Sequence, residues 1–144
     1  MIKFISVEDV LPLRSSELRE GKIAPKDMRF STDSAEGTLH LGYFIKGELV
    51  SILTMHRQHY GQYKGEGYQM RGVATLEKFR GQGIGTKLLN FAIVYLRGQK
   101  VNYLWCNGRK KALKFYQNAG FEIVSQEFEL PPAGPHHVLY LKIS

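Results

Sequence analysis

Arg80-Gly81-Gln82-Gly83-Ile84-Gly85 sets three glycines at alternate positions and opens directly into a helical pattern. Behind it, Ile84, Leu88, Phe91, Ala92 and Tyr95 recur at three- and four-residue spacing, while residues 68–75 ahead of it read as a strand. The glycines therefore stand at a strand-to-helix turn. The first backbone N–H groups of a helix have no partner within it, and the peptide dipoles leave partial positive charge there. Glycine lets an anion approach that backbone closely, and Arg80 adds a full charge beside it. The pattern predicts a phosphate cradle.

Charge supports this reading. Residues 78–121 hold no Asp or Glu, while Lys78, Arg80, Lys87, Arg97, Lys100, Arg109, Lys110, Lys111 and Lys114 exceed the net charge of +7 carried by the whole chain. A basic segment built around a glycine-rich helix start suits a ligand with several phosphates. Spacing then separates the known designs. Gly-x-x-x-x-Gly-Lys-Ser/Thr occurs nowhere, which excludes a P-loop. A dinucleotide fingerprint fails because Thr86 occupies its third glycine site and the segment 101–105 has no acidic residue.

What remains is Arg/Gln-x-x-Gly-x-Gly/Ala, carried by Arg80, Gly83 and Gly85, which resembles the acetyl-CoA loop of the GNAT N-acetyltransferases. A second motif follows in the order that family uses: a strand at 101–106, then Ala112, Phe115, Tyr116, Gly120 and Phe121. The two motifs span residues 70–123. Where many members place Asn three residues before the Ala, this chain has Arg109, with Asn107 two positions earlier. The tail, from Gln126-Glu127-Phe128-Glu129 to Pro135-His136-His137, resembles the bacterial ElaA-like branch.

The resemblance implies transfer of an acetyl group from acetyl-CoA to a primary amine by direct attack through a tetrahedral intermediate, without a metal. Backbone N–H groups of Val73, Ala74 and Thr75 would face the acyl group and pantetheine arm, and such fixed donors contribute about 2.7–4 kcal/mol each to a transition state. Arg80, Gly81, Gln82, Gly83, Ile84, Gly85 and Thr86 would hold the pyrophosphate, with Gln82 directed outward, and Asn107 and Arg109 would serve the cofactor arm. Tyr116 is the candidate acid, since a phenol is protonated at neutral pH. His136 and His137 are the preferred candidates for the base, with His56, His59 and Glu66 as further ones; the histidines are expected on two loops at the mouth of the site. Arg71 either binds an acidic group of the substrate or pairs with Glu127 or Glu129. A regulatory CoA-binding domain and a basic nucleic-acid-binding module are the alternatives; the latter lacks helix-turn-helix spacing or a strand-binding aromatic motif.

Length and composition fit one α/β domain over residues 1–144. With 144 residues, 43% hydrophobic and 23% charged, the chain can bury a core of its own. Cys106 is the only cysteine, so no internal disulfide forms, and it is read as core. The N-terminal residues lack a signal-peptide pattern and no run is long enough for a membrane span, which places the expected protein in the cytoplasm, free of nucleic acid and membrane, as a monomer or homodimer acting on a small-molecule, peptide or protein amine.

Along the chain, strands are expected at 2–7, 39–45, 49–56, 68–75, 101–106, 121–129 and 137–143. Helices are expected from Glu8 through Leu18, with Pro12 in the first turn, from Ile84 and through Ala112–Ala119. Residues 21–37 form a loop and a plausible substrate wall. The order predicts a mixed, mostly antiparallel central sheet flanked by helices.

Overall fold

The structure is a computed structural model that describes residues 1–144. Its strands are β1 (Ile2–Ile5), β2 (Leu39–Ile45), β3 (Glu48–Arg57), β4 (Gly67–Thr75), β5 (Tyr103–Arg109), β6 (Glu122–Ile123), β7 (Phe128–Glu129) and β8 (Pro135–Lys142). Its helices are α1 (Val7–Leu18), α2 (Ile84–Gly98) and α3 (Leu113–Asn118). The strands pair in the order β1-β2-β3-β4-β5-β8-β6, with β7 also on β8. Only β4 and β5 run parallel among the registers that follow, so the α/β class and the mixed, mostly antiparallel sheet are as expected.

The chain divides into two compact units, one of Met1–His56 with Arg71–Ala92 and one of Arg57–Met70 with Ile93–Ser144; β4 and α2 each contribute to both. In the first unit, β1 pairs antiparallel with β2 from Ile2↔Tyr43 to Ile5↔His40, and β2 pairs with β3 across a hairpin at Lys46 and Gly47. Both hairpin residues have positive φ (49° and 82°), the turn whose twist matches the strands it joins. α1 starts earlier than its acidic residues suggest. Ser6 accepts from the Asp9 N–H while the Asp9 carboxylate accepts from the Ser6 N–H, a capping box that fixes Val7 as the first helical residue. Pro12 consequently lies inside the helix and not in its first turn. The apolar face of α1 buries Val10 and Leu13 against Ile52 and Ala74. The segment 21–37 carries one short 3-10 turn, Pro25–Asp27.

In the second unit, residues Gly67 to Met70 of β4 pair in parallel with Tyr103 to Cys106 of β5. A Cβ at Gly67 would collide with the Tyr103 ring, which is why glycine starts this strand. β5 runs antiparallel to β8 from Tyr103↔Lys142 to Arg109↔His136, so it extends three residues beyond the predicted 101–106. The core is aromatic: Tyr103, Trp105 and Val138 are buried with Tyr60, Tyr63, Phe128 and Tyr140 packed on them. The predicted strand 121–129 is broken into β6 and β7. Between them the Ser125 hydroxyl, instead of a backbone carbonyl, accepts the Val138 N–H at 2.7 Å, and this side-chain substitution interrupts the ladder. No helix is long and apolar enough to cross a membrane.

Candidate functional site

The glycine turn has the geometry its spacing predicts. Gly81 and Gly83 adopt φ of 77° and 79°, and a Cβ built on either meets nothing within 4 Å. Their backbone is bent into the left-handed region and faces open space. The N–H groups of Gly81, Gln82, Gly83, Ile84, Gly85 and Thr86 donate to no protein acceptor, and the first bond of α2 is Lys87 N–H to the Gly83 carbonyl at 3.0 Å. A continuous run of unpaired donors at a helix start is an anion-binding arrangement. Ile84 is the buried anchor that seats the helix, and Gln82 reaches back toward the Lys78 carbonyl at 3.4 Å.

Arg80 is less free than a basic residue in a phosphate loop was expected to be. Its Nε donates to the Thr75 carbonyl at 3.0 Å and its Nη2 to Glu17 Oε1 at 3.0 Å, and the same Glu17 oxygen accepts the Glu77 N–H at 2.9 Å. Glu17 comes from the end of α1 and is 11% exposed, so the turn is clamped by a well-buried carboxylate that compensates part of the Arg80 charge. Glu17 carries no sequence signal of this role, because its partner lies 63 residues away.

The end of β4 is held as firmly. Ser51 Oγ donates to the Ala74 carbonyl at 3.1 Å and meets Thr75 Oγ1 at 2.8 Å, and the Leu76 N–H donates to the Val50 carbonyl. Just before, Gly72 interrupts the strand with φ of 62°. A positive-φ glycine inside a strand marks a bulge that re-aims the backbone on either side, here at Arg71 and Val73. A Cβ at Gly72 would lie 3.1 Å from Arg14 Nε and 3.3 Å from the Phe30 ring, so the side chains of α1 and of the 21–37 segment reach the strand here.

Those neighbours form a buried polar network. Arg14 is fully buried; Nη1 and Nη2 donate to the two Asp33 oxygens at 2.8 and 2.9 Å, and further bonds reach the Met28 carbonyl and Thr54 Oγ1. Burial pushes the Asp33 carboxyl up, but the donors from Arg14 and the Phe30 N–H outweigh it and hold the group below its ordinary value. His40 Nδ1 meets Thr54 Oγ1 at 2.8 Å, and burial lowers the imidazole from its ordinary value, with Asp33 opposing. His40 Nε2 faces the Asp33 carbonyl at 3.4 Å, which can only accept, so the neutral imidazole carries its hydrogen on Nε2 and Nδ1 accepts from the Thr54 hydroxyl. Two guanidiniums lie over the Phe30 ring, with Arg14 Cζ at 3.9 Å and Arg71 Cζ at 4.0 Å from its centroid. Arg71 does not pair with Glu127 or Glu129: Glu127 binds Lys110 at 3.0 Å, and no carboxylate lies within 4.0 Å of Arg71.

In the second unit, Tyr116 is buried on α3, edge-on to Phe115 and Phe121. Its ring packs over Gly108 of β5, where a Cβ would lie 3.1 Å from Tyr116 Cε2. Burial pushes the phenol far above its ordinary value, Cys106 adding to this and Arg109 opposing it, so the group keeps its proton at any physiological pH. Burial likewise raises the Cys106 thiol and leaves it un-ionised, as a core residue.

Of the four histidines expected on loops, His59 lies on one, between β3 and β4, and the other three lie in strands. β8 begins at Pro135, so His136 and His137 lie in a strand, opposite Arg109 and Gly108, because pairing with both β5 and β7 extends the ladder to the proline. Their side chains point to opposite faces. His136 is 4% exposed and its Nδ1 donates to the Gly134 carbonyl at 2.8 Å, which leaves the lone pair on Nε2. His137 donates through Nδ1 to the Ser125 carbonyl at 3.2 Å, with Nε2 3.9 Å from Glu127. His56 is buried within β3, His59 is exposed, and Glu66 stands 3.9 Å from Arg57.

The family model for the acetyltransferase (GNAT) family matches residues 7–121, which include the turn, the clamp and Tyr116. The chain belongs to the GNAT acetyltransferases. It is 34% identical over 140 residues to the uncharacterized N-acetyltransferase YitI of Bacillus subtilis, covering 96% of this chain and 93% of the relative. In fold it is similar to Escherichia coli ElaA (TM-score 0.77, 17% identity, 97% of each chain) and to an aminoglycoside 6'-N-acetyltransferase crystallised with coenzyme A (TM-score 0.72, 16% identity, 100% of this chain and 97% of that one). At these identities the two structures speak for the fold. Membership makes the chain an acyl-CoA-dependent N-acyltransferase and accounts for the order of its two motifs.

Proposed function

We propose that this GNAT protein transfers an acetyl group from acetyl-CoA to a primary amine by direct attack. The observation that carries the reading is the run of donor N–H groups from Gly81 to Thr86, bent open by two positive-φ glycines and clamped through Arg80. These residues fit a diphosphate: six successive N–H groups have no protein acceptor, nothing lies within 4 Å of a Cβ built on Gly81 or Gly83, and the helix start favours negative charge. Residues 80–86 would hold the diphosphate and Val73, Ala74 and Thr75 the acyl end; Asn107 and Arg109 are the candidates for the cofactor arm. When bound, acetyl-CoA supplies a thioester carbonyl activated toward amines.

The chain's own groups supply proton handling. Tyr116 is the candidate donor to the departing sulfur: burial keeps its proton in place and also weakens it as an acid, so its part is a hydrogen bond to the sulfur as negative charge develops there. His136 and His137 are the candidates for drawing a proton from the amine: each donates through Nδ1 to a carbonyl and keeps a lone pair on Nε2, and they differ in that His137 Nε2 stands 3.9 Å from Glu127 whereas no carboxylate lies within 4.0 Å of His136. A spectrophotometric assay of free thiol release with acetyl-CoA and a panel of amines, amino acids, polyamines, aminoglycosides and peptide N-termini tests the reading. Turnover dependent on both substrates supports it; CoA binding with no transfer to any amine points to the regulatory alternative.

A further inference from the structure

Two guanidiniums share the Phe30 ring, but only one is neutralised. Arg14 has the bidentate Asp33 carboxylate, whereas Arg71, half-buried and with its Cζ 4.0 Å from the ring centroid, has neither an ion pair nor a hydrogen bond. Cations taken out of water are ordinarily paired. Burial lowers the Arg71 guanidinium from its ordinary value and the Arg14 charge adds to this; the Asp33 charge opposes both without outweighing them, so the surroundings favour a further anion beside it. The arginine is also pre-oriented. Asp33 accepts the Phe30 N–H at 2.7 Å and the Asp33 N–H donates to the Phe30 carbonyl at 3.1 Å, which fixes the ring on which Arg71 lies. With its Cζ over the ring and no protein acceptor on its nitrogens, Arg71 keeps its N–H donors for a planar, bidentate partner.

We propose that Arg71 is the recognition site for a carboxylate on the amine acceptor, seated on Phe30 beside the Gly72 bulge and on the same strand as Val73, Ala74 and Thr75. This rests on the acetyl-transfer reading, which puts the acyl group at those three residues. They follow Arg71 by two to four positions, at most about 7–13 Å along an extended strand and less across the Gly72 bulge. The acceptor is therefore an amino acid or short peptide whose amine and carboxylate are a few bonds apart. One uncompensated positive charge matches a carboxylate; a phosphate near −2 would leave net negative charge in a half-buried place.

Thiol release at saturating acetyl-CoA is compared for pairs that differ in the carboxylate: phenylalanine with phenethylamine, lysine with cadaverine, glycylglycine with its methylamide. Expected is a preference of about 10- to 100-fold for the acids, expressed in KM, the range of a hydrogen bond to a charged group. Arg71→Gln brings the ratio within each pair close to one, and Arg71→Lys restores part of it; thermal melting checks that both variants fold. In parallel, the Arg71 Nε–H resonance of isotope-labelled protein, assigned by its loss in Arg71→Gln, is titrated with N-acetylphenylalanine and N-acetylphenethylamine. The acid shifts it and the neutral amide does not. A preference for the neutral amines or for phosphoethanolamine, equal losses on both members of a pair, or a resonance the acid leaves in place overturns the proposal. The resonance decides where none of the pairs turns over, and calorimetry with CoA reports separately on the acetyl-CoA reading.

Discussion

Asp33→Asn removes one charge and leaves the side-chain shape almost unchanged, so its effect isolates the electrostatics under the Phe30 platform. Asp33 Oδ2 accepts from both Arg14 Nη1 at 2.8 Å and the Phe30 N–H at 2.7 Å, and Oδ1 accepts from Arg14 Nη2 at 2.9 Å. An amide offers one oxygen, so its NH2 must face at least one of these donors. Arg14 is fully buried, with Met28 and Thr54 as its only other partners, and neither is charged. Breaking a buried pair in this way costs about 3–5 kcal/mol. For a chain of this size that lowers Tm by about 10–15 °C. Circular-dichroism melts and urea titrations measure it. Arg14→Met combined with Asp33→Leu removes both charges and is expected to cost less than Asp33→Asn alone, because no orphaned cation remains. A loss under about 1 kcal/mol for Asp33→Asn, or a double variant worse than the single, refutes the claim that Asp33 is there to compensate Arg14.

Tyr116→Phe keeps the buried ring and removes the proton: as a donor, its loss lowers kcat by about 10²–10⁴-fold with CoA affinity preserved, whereas unchanged turnover under rate-limiting chemistry removes Tyr116 from the mechanism. His136→Gln is expected to flatten the acidic limb of the kcat/KM profile, and His137→Gln to leave that limb in place; the opposite result exchanges their roles. The folded His40 sits below its reference value of 6.5 and Asp33 below 3.8, so the unfolded chain binds more protons in both windows. Stability is accordingly expected to fall as pH drops from 6.5, and again below 3.8, with His40→Gln abolishing the first decline in Tm and not the second.

The glycine turn was legible because its requirements are local: alternate glycines supply the positive φ, and the apolar period from Ile84 supplies the helix. The burial of Tyr116 was legible from the helical face it shares with Phe115, and that burial explains why its proton stays; its part in the reaction belongs to the proposed function. Legibility ended where partners are distant or where a side chain replaces backbone. Glu17 reaches Arg80 across 63 residues, and nothing near either one announces the pair. Ser125 splits a strand that alternation reads as continuous, and the double pairing of β8 draws His136 and His137 out of a proline-rich loop. Arg14 did leave a trace, a cation set among Val10, Leu11 and Leu13 on the buried face of α1, but only the fold shows that Asp33 answers it and that nothing answers Arg71.

Calorimetric titration of CoA into the wild type and Gly83→Ala tests the central claim most directly. In the free protein the added methyl meets no atom within 4 Å at φ of 79°, so Ala costs about 1–2 kcal/mol of backbone strain and the variant still folds. The expected result is one saturable site for CoA in the wild type, no comparable heat from NAD or ATP, and a large loss of CoA affinity in Gly83→Ala as the methyl enters the diphosphate's place. Equal CoA affinity in the two proteins would contradict the assignment of residues 80–86 as the diphosphate cradle.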